Sequence, residues 1–487
     1  MGQKINTQRE EVSGAATLVV VCLVQFLTPF LMSSVGVALP SLGTYFRTGA
    51  VHLGLVETVF ILAVSLFLLP AGRLGDIYGR KRIFLIGTLI MGVAAFFSVF
   101  SPNINIFICF RFVQGLGAAM VTGTSLAILS NVFPPERRGR AMGIVVANIY
   151  LGVSAGPVLG GFLIVHFGWQ WIFYLTAGIG AAAFFLTLAK LRTEWRESAG
   201  QPFDASGSLI YILSLFMLIL GLINLGNDGG YWLAVLAGAG GLVIFLRSEY
   251  HKAFPVLDVR LILSNRVLLF SNLATLINYA ASFGMTFFFS LYLQYVKGFD
   301  PRFTGLILVS QPVLQAVLSP MAGALAERMN SAWLSTAGMG VCAVGLAMAA
   351  VVDAGTSHPF IILILAIMGF GFALFSTPNM LTVMGCVPPK NYGTASSLVS
   401  TMRTLGMLGS MTVVTLIFSM VMGERAIIPE TWPDFLRGMR LAFIIFSGLS
   451  LGGICFSLAR VPPVFSPEAP VKTIDNTTQT DQSKEAL

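Results

Sequence analysis

The sequence predicts an all-α membrane protein with fourteen transmembrane helices, and three observations carry that prediction. Only 10% of the 487 residues are charged while 56% are apolar, whereas soluble globular domains carry about a quarter charged residues. Uncharged stretches recur at membrane length: Ile83 to Phe100 holds no charge, and about 20 apolar residues cross the hydrocarbon core as a helix. Short polar turns such as Ser101-Pro102-Asn103 separate the stretches. Helix is the expected form because lipid offers no partner for an open backbone amide.

A tail over residues 1–14 precedes the first span. Six spans are expected near 15–40, 51–72, 83–101, 104–131, 139–166 and 169–190, making a first bundle over 15–190. The first of them is too long for a signal-peptide core and has no small-residue cleavage site, so it stays as a span. Spans near 205–225 and 231–247 lie in a linker over 191–264. Six more, near 265–296, 302–326, 332–353, 358–386, 392–422 and 437–460, make a second bundle over 265–460. The tail over 461–487 is rich in Thr, Gln, Asp, Lys and Pro and is expected to be disordered.

The net charge of +8 does not point to nucleic acid once its distribution is considered. Of 29 Lys and Arg residues, 21 fall on one side of these spans, 6 on the other and 2 within helices. That asymmetry predicts both termini in the cytoplasm of a plasma-membrane protein. The five cysteines stand singly, without metal-ligand or redox spacing, and are expected to be small apolar filler.

An internal repeat is visible. Gly72-Arg73-Leu74-Gly75-Asp76 after the second span returns as Gly323-Ala324-Leu325-Ala326-Glu327 after the tenth, 251 residues later. Gly139, Ala141 and Gly152 return as Gly393, Ala395 and Gly406 at an offset of 254. Two matches at nearly one offset predict duplicated six-helix halves with a two-helix insert, a transporter architecture that holds substrate between the halves.

These residues resemble a known family. The run from Gly72 to Arg82, which includes Asp76, Gly79 and Arg80, is similar to the loop signature of the major facilitator superfamily. Arg111 to Gly117 resembles its fourth-helix motif, and Gly143, Gly152, Gly156, Pro157, Gly160 and Gly161 resemble the fifth-helix motif of its drug:proton antiporters. Fourteen spans point to the branch of quaternary-ammonium and multidrug exporters, and the resemblance covers about residues 15–460. It implies a major facilitator fold of two six-helix bundles plus two linker helices. It also implies proton-coupled efflux of amphipathic drug-like compounds by alternating access. In that reading Gly72, Asp76, Gly79, Arg80, Gly323 and Glu327 form a conformational switch. Asp76, in a short loop, would cap a helix N-terminus of the other half in one conformation. Glycines at four-residue spacing on the fifth helix let another backbone approach closely, and Pro157 invites a kink.

The energy source follows by exclusion. No lysine is preceded by glycine, so the phosphate-binding Gly-Lys loop is absent, and no HExxH or CxxC is present. The reading is therefore a secondary transporter, with no enzymatic activity, metal or cofactor. Its expected partners are a small-molecule substrate, protons and the bilayer, with no nucleic acid, and it is expected to work as a monomer. A specific metabolite, peptide or lipid exporter without standard proton antiport is the alternative; a non-transporting receptor or channel is a third reading, disfavoured by the repeated Gly-rich motifs.

One departure from the family pattern concerns coupling. The resemblance implies an Asp seven residues before the Ala38-Leu39-Pro40 that closes the first helix, and this chain has Leu31 there. Ionisable residues inside spans are rare and mark function. Glu57 and Arg111 lie at similar depth in the second and fourth helices, so an ion pair is expected; Arg403 in the thirteenth span is the third candidate for proton coupling. The competing reading has Glu57 snorkelling to the outer headgroups. Candidate cavity residues are Gln25, Met32, Gln114, Asn148, Asn278, Phe283, Gln311, Gln315 and Asn379, because lipid-facing amides are penalised. Phe283 belongs to an aromatic series with Phe287, Phe288, Phe289, Tyr292 and Tyr295, which could face cavity, lipid or packing partners.

Overall fold

The computed structural model describes residues 2–191, 193–226, 229–388 and 392–460. Among them fourteen helices are long and apolar enough to cross a membrane, and the strand count is nil. The first bundle comprises α1 (Gly2–Phe46), α2 (Ala50–Tyr78), α3 (Arg80–Ser98), α4 (Ile104–Val132), α5 (Pro135–Phe167) and α6 (Gln170–Lys190). A hairpin of α7 (Ala205–Ile223) and α8 (Trp232–His251) follows, then a short helix α9 (Val259–Ser264). The second bundle comprises α10 (Arg266–Leu291), α11 (Pro301–Leu308), α12 (Ser310–Arg328), α13 (Ser331–Ala349), α14 (His358–Gly385), α15 (Tyr392–Val421) and α16 (Trp432–Ala459). The C-terminal tail expected to be disordered lies outside the described residues.

Local chemistry sets the ends. Asn103, Asp204, Asn265 and Asp300 each begin a helix by accepting a hydrogen bond from a backbone N–H in its first turn. Pro301, just inside α11, needs no N–H there. Gly79 separates α2 from α3 at φ 124°, in the region glycine tolerates best.

Some element boundaries differ from the sequence reading. The Gly72–Asp76 run is not a loop: it forms the last turns of α2, and Asp76 bonds Arg80 across an i,i+4 spacing. The tenth span breaks at Val309 into α11 and α12, because Pro312 has no N–H to give the Leu308 carbonyl. The ninth ends in a π-helical turn, Tyr292–Val296. The last span starts at Trp432 rather than 437, with Arg437 exposed and facing Asp434. Two of the cysteines expected as filler, Cys109 and Cys455, lie exposed on the bundle surface.

The repeat extends well beyond the two matches visible in sequence. Gly115 of α4 lies against the Phe60 carbonyl of α2; 254 residues on, Gly369 of α14 lies against the Gln311 carbonyl of α12, and Phe60 and Gln311 are 251 apart. Gly87 and Gly117 bring α3 and α4 together as Gly338 and Gly371 bring α13 and α14 together. Gly152 meets the Phe26 carbonyl of α1, and Gly406 the Leu276 carbonyl of α10. A glycine at each crossing lets the helix backbones approach closely, so both halves are built on the same contacts.

The halves meet mainly toward the face opposite the chain termini. There Thr58 of α2 bonds Thr415 of α15 (2.9 Å), Ser290 donates to the Gly36 carbonyl (2.7 Å) and Gln294 to the Val37 carbonyl (3.0 Å). The Ala50 N–H reaches the Arg425 carbonyl (3.3 Å). Nearer mid-membrane the Tyr150 hydroxyl meets Ser376 Oγ (3.1 Å). The α7–α8 hairpin lies alongside α2 and α15, and Tyr211 bonds the Ser65 carbonyl (2.8 Å).

Candidate functional site

A cavity of about 240 Å³ lies between the bundles, lined by α1, α2, α4 and α5 from one half and α10, α11, α12, α14 and α15 from the other. Its wall is laid down in helical stripes: Tyr150, Val153 and Pro157 on α5; Tyr279, Ser282, Phe283, Thr286 and Phe287 on α10; Arg403, Thr404, Met407 and Met411 on α15. Three prolines in the wall each release a carbonyl four residues earlier. The pairs are Pro29 with Gln25, Pro157 with Val153 and Pro312 with Leu308, and both members of each pair line the cavity.

Of the expected cavity residues, Gln25, Met32, Phe283, Gln311 and Gln315 are in the wall. Gln114, Asn148, Asn278 and Asn379 are not. Asn148 instead donates to the Cys22 carbonyl, tying α5 to α1 (2.5 Å). Gln114 accepts from Arg111, and Asn379 bonds Thr275 Oγ1 (2.9 Å) and accepts from Arg460. Asn278 is buried within the second bundle with both amide atoms unpaired. Aversion to lipid turns an amide inward, and the interior of one bundle satisfies that as well as the cavity does. The aromatic series divides in the same way. Phe283 and Phe287 reach the cavity, whereas Phe288 and Phe289 pack with Phe443 in the core of the second bundle.

Glu57 is 3% exposed and stands 3.7 Å from the equally buried Arg111, which leaves no room for headgroup snorkelling. The guanidinium donates to the Val56 carbonyl (3.2 Å) and Gln114 Oε1 (2.9 Å) and lies over the Phe60 ring. Glu57 is a lining residue of the cavity and Arg111 is not, so Glu57 is the member of the pair nearer to it, with both carboxylate oxygens shielded in this conformation. Leu31, where the resemblance implied an Asp, is buried in the core beside the lining residue Met32. Arg403 lies in the wall near the Tyr279 side chain.

The fifth-helix glycines serve two interfaces. Gly152, Gly156 and Gly160 face α1 of their own half: a Cβ would come 2.7 Å from the Phe26 carbonyl at Gly152, overlap Ser33 at Gly156, and approach Ser34 to 2.9 Å at Gly160. Gly161 faces the Pro301 carbonyl, and Gly305 faces the Pro157 carbonyl, so this end of the motif contacts the other half. Gly143 has nothing within 4 Å and belongs to neither interface.

At the terminus-bearing face, Arg80 grips both oxygens of Glu197 (2.7 Å each) and the Asp76 carboxylate (2.7 Å), while Glu194 accepts from the Lys81 N–H (2.9 Å). The expected cap on the other half is therefore not made in this conformation, where Asp76 is held inside its own half. Gly72 lies against α4, Gly323 lies 3.3 Å from a Thr377 methyl by its would-be Cβ, and Glu327 is exposed. An Asp76→Asn protein is expected to keep its stability nearly unchanged, because a part-exposed pair is worth about 0–1 kcal/mol. Its flux is expected to fall about fivefold or more, the effect of losing roughly 1 kcal/mol of conformer-specific coupling. Transport per molecule of purified, reconstituted protein checks this, and wild-type flux would remove Asp76 from the switch.

A family model described as Major Facilitator Superfamily matches residues 21–411 and 272–480. Over 380 residues the chain is 32% identical to the multidrug resistance protein Stp of Mycobacterium tuberculosis (strain CDC 1551 / Oshkosh), covering 76% of this chain and 70% of that one. It is 28% identical over 393 residues to the riboflavin transporter RibZ of Clostridioides difficile (strain 630), covering 80% and 84%. Among solved structures it is similar in fold to a bacterial homolog of the human lysosomal transporter Spinster in an inward-facing and unoccupied conformation. The TM-score there is 0.65 at 15% identity, covering 92% of this chain and 97% of that one.

Proposed function

We propose a function from one premise: the chain belongs to the Major Facilitator Superfamily and is a multi-pass membrane transporter. Its work is the efflux of amphipathic, drug-like compounds across the cell membrane by alternating access, coupled to protons. The observation that carries this reading is the cavity itself, built from both halves and walled by aromatic, Met, hydroxyl and amide side chains. Such a wall suits ligands that are mostly apolar with a few polar groups, and methionines adapt to varied shapes. The excess of Lys and Arg at the terminus-bearing side supports cytoplasmic termini. In that orientation the bonded face is external, and the cavity stands in the state that loads cargo from the cytoplasm. Glu57 is the coupling carboxylate, since it alone among the wall residues is acidic. The similarity to Stp, named a multidrug resistance protein, supports efflux of varied compounds.

Transport into inverted vesicles, across a panel of drugs and dyes with and without a pH gradient, tests the reading. Uptake of several unrelated compounds that rises with an acidic lumen is expected. Flux indifferent to the gradient would remove proton coupling, and no flux would remove efflux. The similarity to RibZ favours one second reading, export of a single ring-bearing metabolite. Riboflavin belongs in the panel for that reason, and uptake of riboflavin alone would decide for it.

A further inference from the structure

The cavity wall carries one acidic and one basic side chain, Glu57 and Arg403. They are not equivalent. Glu57 has a built-in counter-charge, Arg111, 3.7 Å behind it and wholly buried. Arg403 has none: among the described residues no carboxylate pairs with it, and its neighbour is the uncharged Tyr279 hydroxyl. A guanidinium is always charged and presents a planar fork of donors matched to carboxylate or phosphate oxygens. Set in a largely apolar wall without a counter-charge, it leaves the wall one positive charge in excess.

The surroundings of Arg403 complete a seat for an anion. Tyr279 and Tyr150, one from each half, both line the cavity. Tyr150 also meets Ser376 Oγ across the bundle interface (3.1 Å), so the cluster bridges the two bodies that must move. Flat apolar surface lies beside it: Phe372 packs edge-on to Tyr279 (centroids 5.5 Å apart), and Phe283 is one turn further along α10. Arg403 sits near the middle of α15, whereas Glu57 sits near the bonded end of α2, so cargo entering from the open side meets the cation first.

We propose that Arg403, with the Tyr150 and Tyr279 hydroxyls, is an anion-binding subsite, and that the preferred cargo is an aromatic amphiphile bearing one anionic group. The anion (a carboxylate, sulfonate or phosphate ester) lies on Arg403, and the ring rests on Phe283 and Phe372. This rests on the efflux reading above and narrows its substrate class. It also gives Arg403 a cargo-binding role in place of the proton-coupling role expected from sequence. The missing first-helix acid at Leu31 fits the same chemistry, because an anion gains nothing from a carboxylate there.

The test is equilibrium binding to purified full-length protein in nanodiscs, without any gradient, so that its outcome is separate from that of the vesicle experiment. The probes are two xanthene dyes of the same ring system, anionic fluorescein and cationic rhodamine 6G, with Kd read by anisotropy. Wild type is expected to bind fluorescein the more tightly. Arg403→Gln should weaken fluorescein about tenfold or more, the size of a lost charge-assisted hydrogen bond, and leave rhodamine nearly unchanged. Arg403→Lys should restore part of the preference and Tyr150→Phe should lose part of it, which a merely structural Arg403 would not do. A wild-type protein that prefers rhodamine, or an Arg403→Gln protein that weakens both dyes equally, overturns the proposal. If Arg403→Gln does not fold, the wild-type preference and the Tyr150→Phe protein still decide. Anion-selective binding with no flux in vesicles would keep the subsite and remove efflux; flux of cationic dyes alone would keep efflux and remove the subsite.

Discussion

A Gly156→Leu protein is expected to lose flux almost completely. Even a Cβ at this position would overlap Ser33 Oγ and come within 3.0 Å of the Phe30 carbonyl, so three further carbons of a leucine have nowhere to go. Overpacking of a close interface costs typically 1–3 kcal/mol and sometimes more. Here the strain would push α1 from α5, two helices that line the cavity together. The graded series is informative. Gly156→Ala should lower flux in part, because Ser33 can rotate but the Phe30 backbone cannot. Gly143→Ala, with nothing within 4 Å of its Cβ, should be silent. Flux per reconstituted molecule and thermal unfolding, measured together, separate a fold defect from a transport defect. Normal export by the leucine variant would show that α1 and α5 need not approach closely during the cycle.

The second large effect concerns Glu57 and Arg111, and the two substitutions should behave differently. Arg111→Ala removes the guanidinium that faces Glu57, the Val56 carbonyl, Gln114 and the Phe60 ring at once. Breaking a buried pair from one side costs about 3–5 kcal/mol, so this protein should be markedly less heat-stable. Glu57→Gln leaves Arg111 its bonds to Val56 and Gln114 and keeps the side-chain shape, so it should cost less stability than Arg111→Ala while the dependence of transport on a pH gradient weakens. Binding of cargo should weaken less. Adding Glu57→Gln to Arg111→Ala should recover part of the lost stability, because the stranded charge is gone; a double-mutant cycle reads that coupling directly. Equal loss of binding and gradient dependence in Glu57→Gln would make Glu57 a cargo ligand, and a fully functional Glu57→Gln protein would leave coupling to another group.

Much of the fold was legible because lipid imposes one rule on every residue: spans must be helical, apolar and long enough. Fourteen spans and a duplicated plan followed from hydropathy and from glycine spacing. The boundaries were less legible. Hydropathy stops at the first charge, while a helix continues through Arg73 and Asp76 and starts ahead of Arg437. The cavity was half legible. Gln25, Gln311 and Gln315 face it, yet Asn148 and Asn379 use identical chemistry to fasten helices inside a bundle. Tyr150 and Tyr279 escaped notice because a tyrosine in a span reads as packing or as interfacial belt. The signal that could have found Tyr279 is register, since it lies four residues before Phe283, on a stripe already expected to face the cavity; Tyr150 likewise lies seven residues before Pro157, which the structure places in the wall. Arg460 at the end of α16 was missed because its partners, Ser335, Ser457 and Asn379, are remote in sequence or unremarkable in type.

The seal between the halves has a consequence for what opening demands. Among the described residues the ion pairs lie within one half, within the linker, or, at Arg80–Glu197, between the first half and the linker, and none crosses from bundle to bundle. At the bonded face what crosses is a short set of hydroxyl, amide and backbone bonds from Thr58 to Thr415 and the Met411 carbonyl, Ser290 to Gly36, Gln294 to Val37 and Ala50 to Arg425. Parting them is a wetting transition rather than a separation of charges: water takes over each donor and acceptor as the helices draw apart. With each bond worth about 0.5–1.5 kcal/mol net, the whole set amounts to a few kcal/mol, a barrier that one tightly held cargo molecule can tip. It is also a barrier that dissolved salt does little to screen, since screening acts on charges, so this gate should keep the same balance in dilute and in concentrated surroundings.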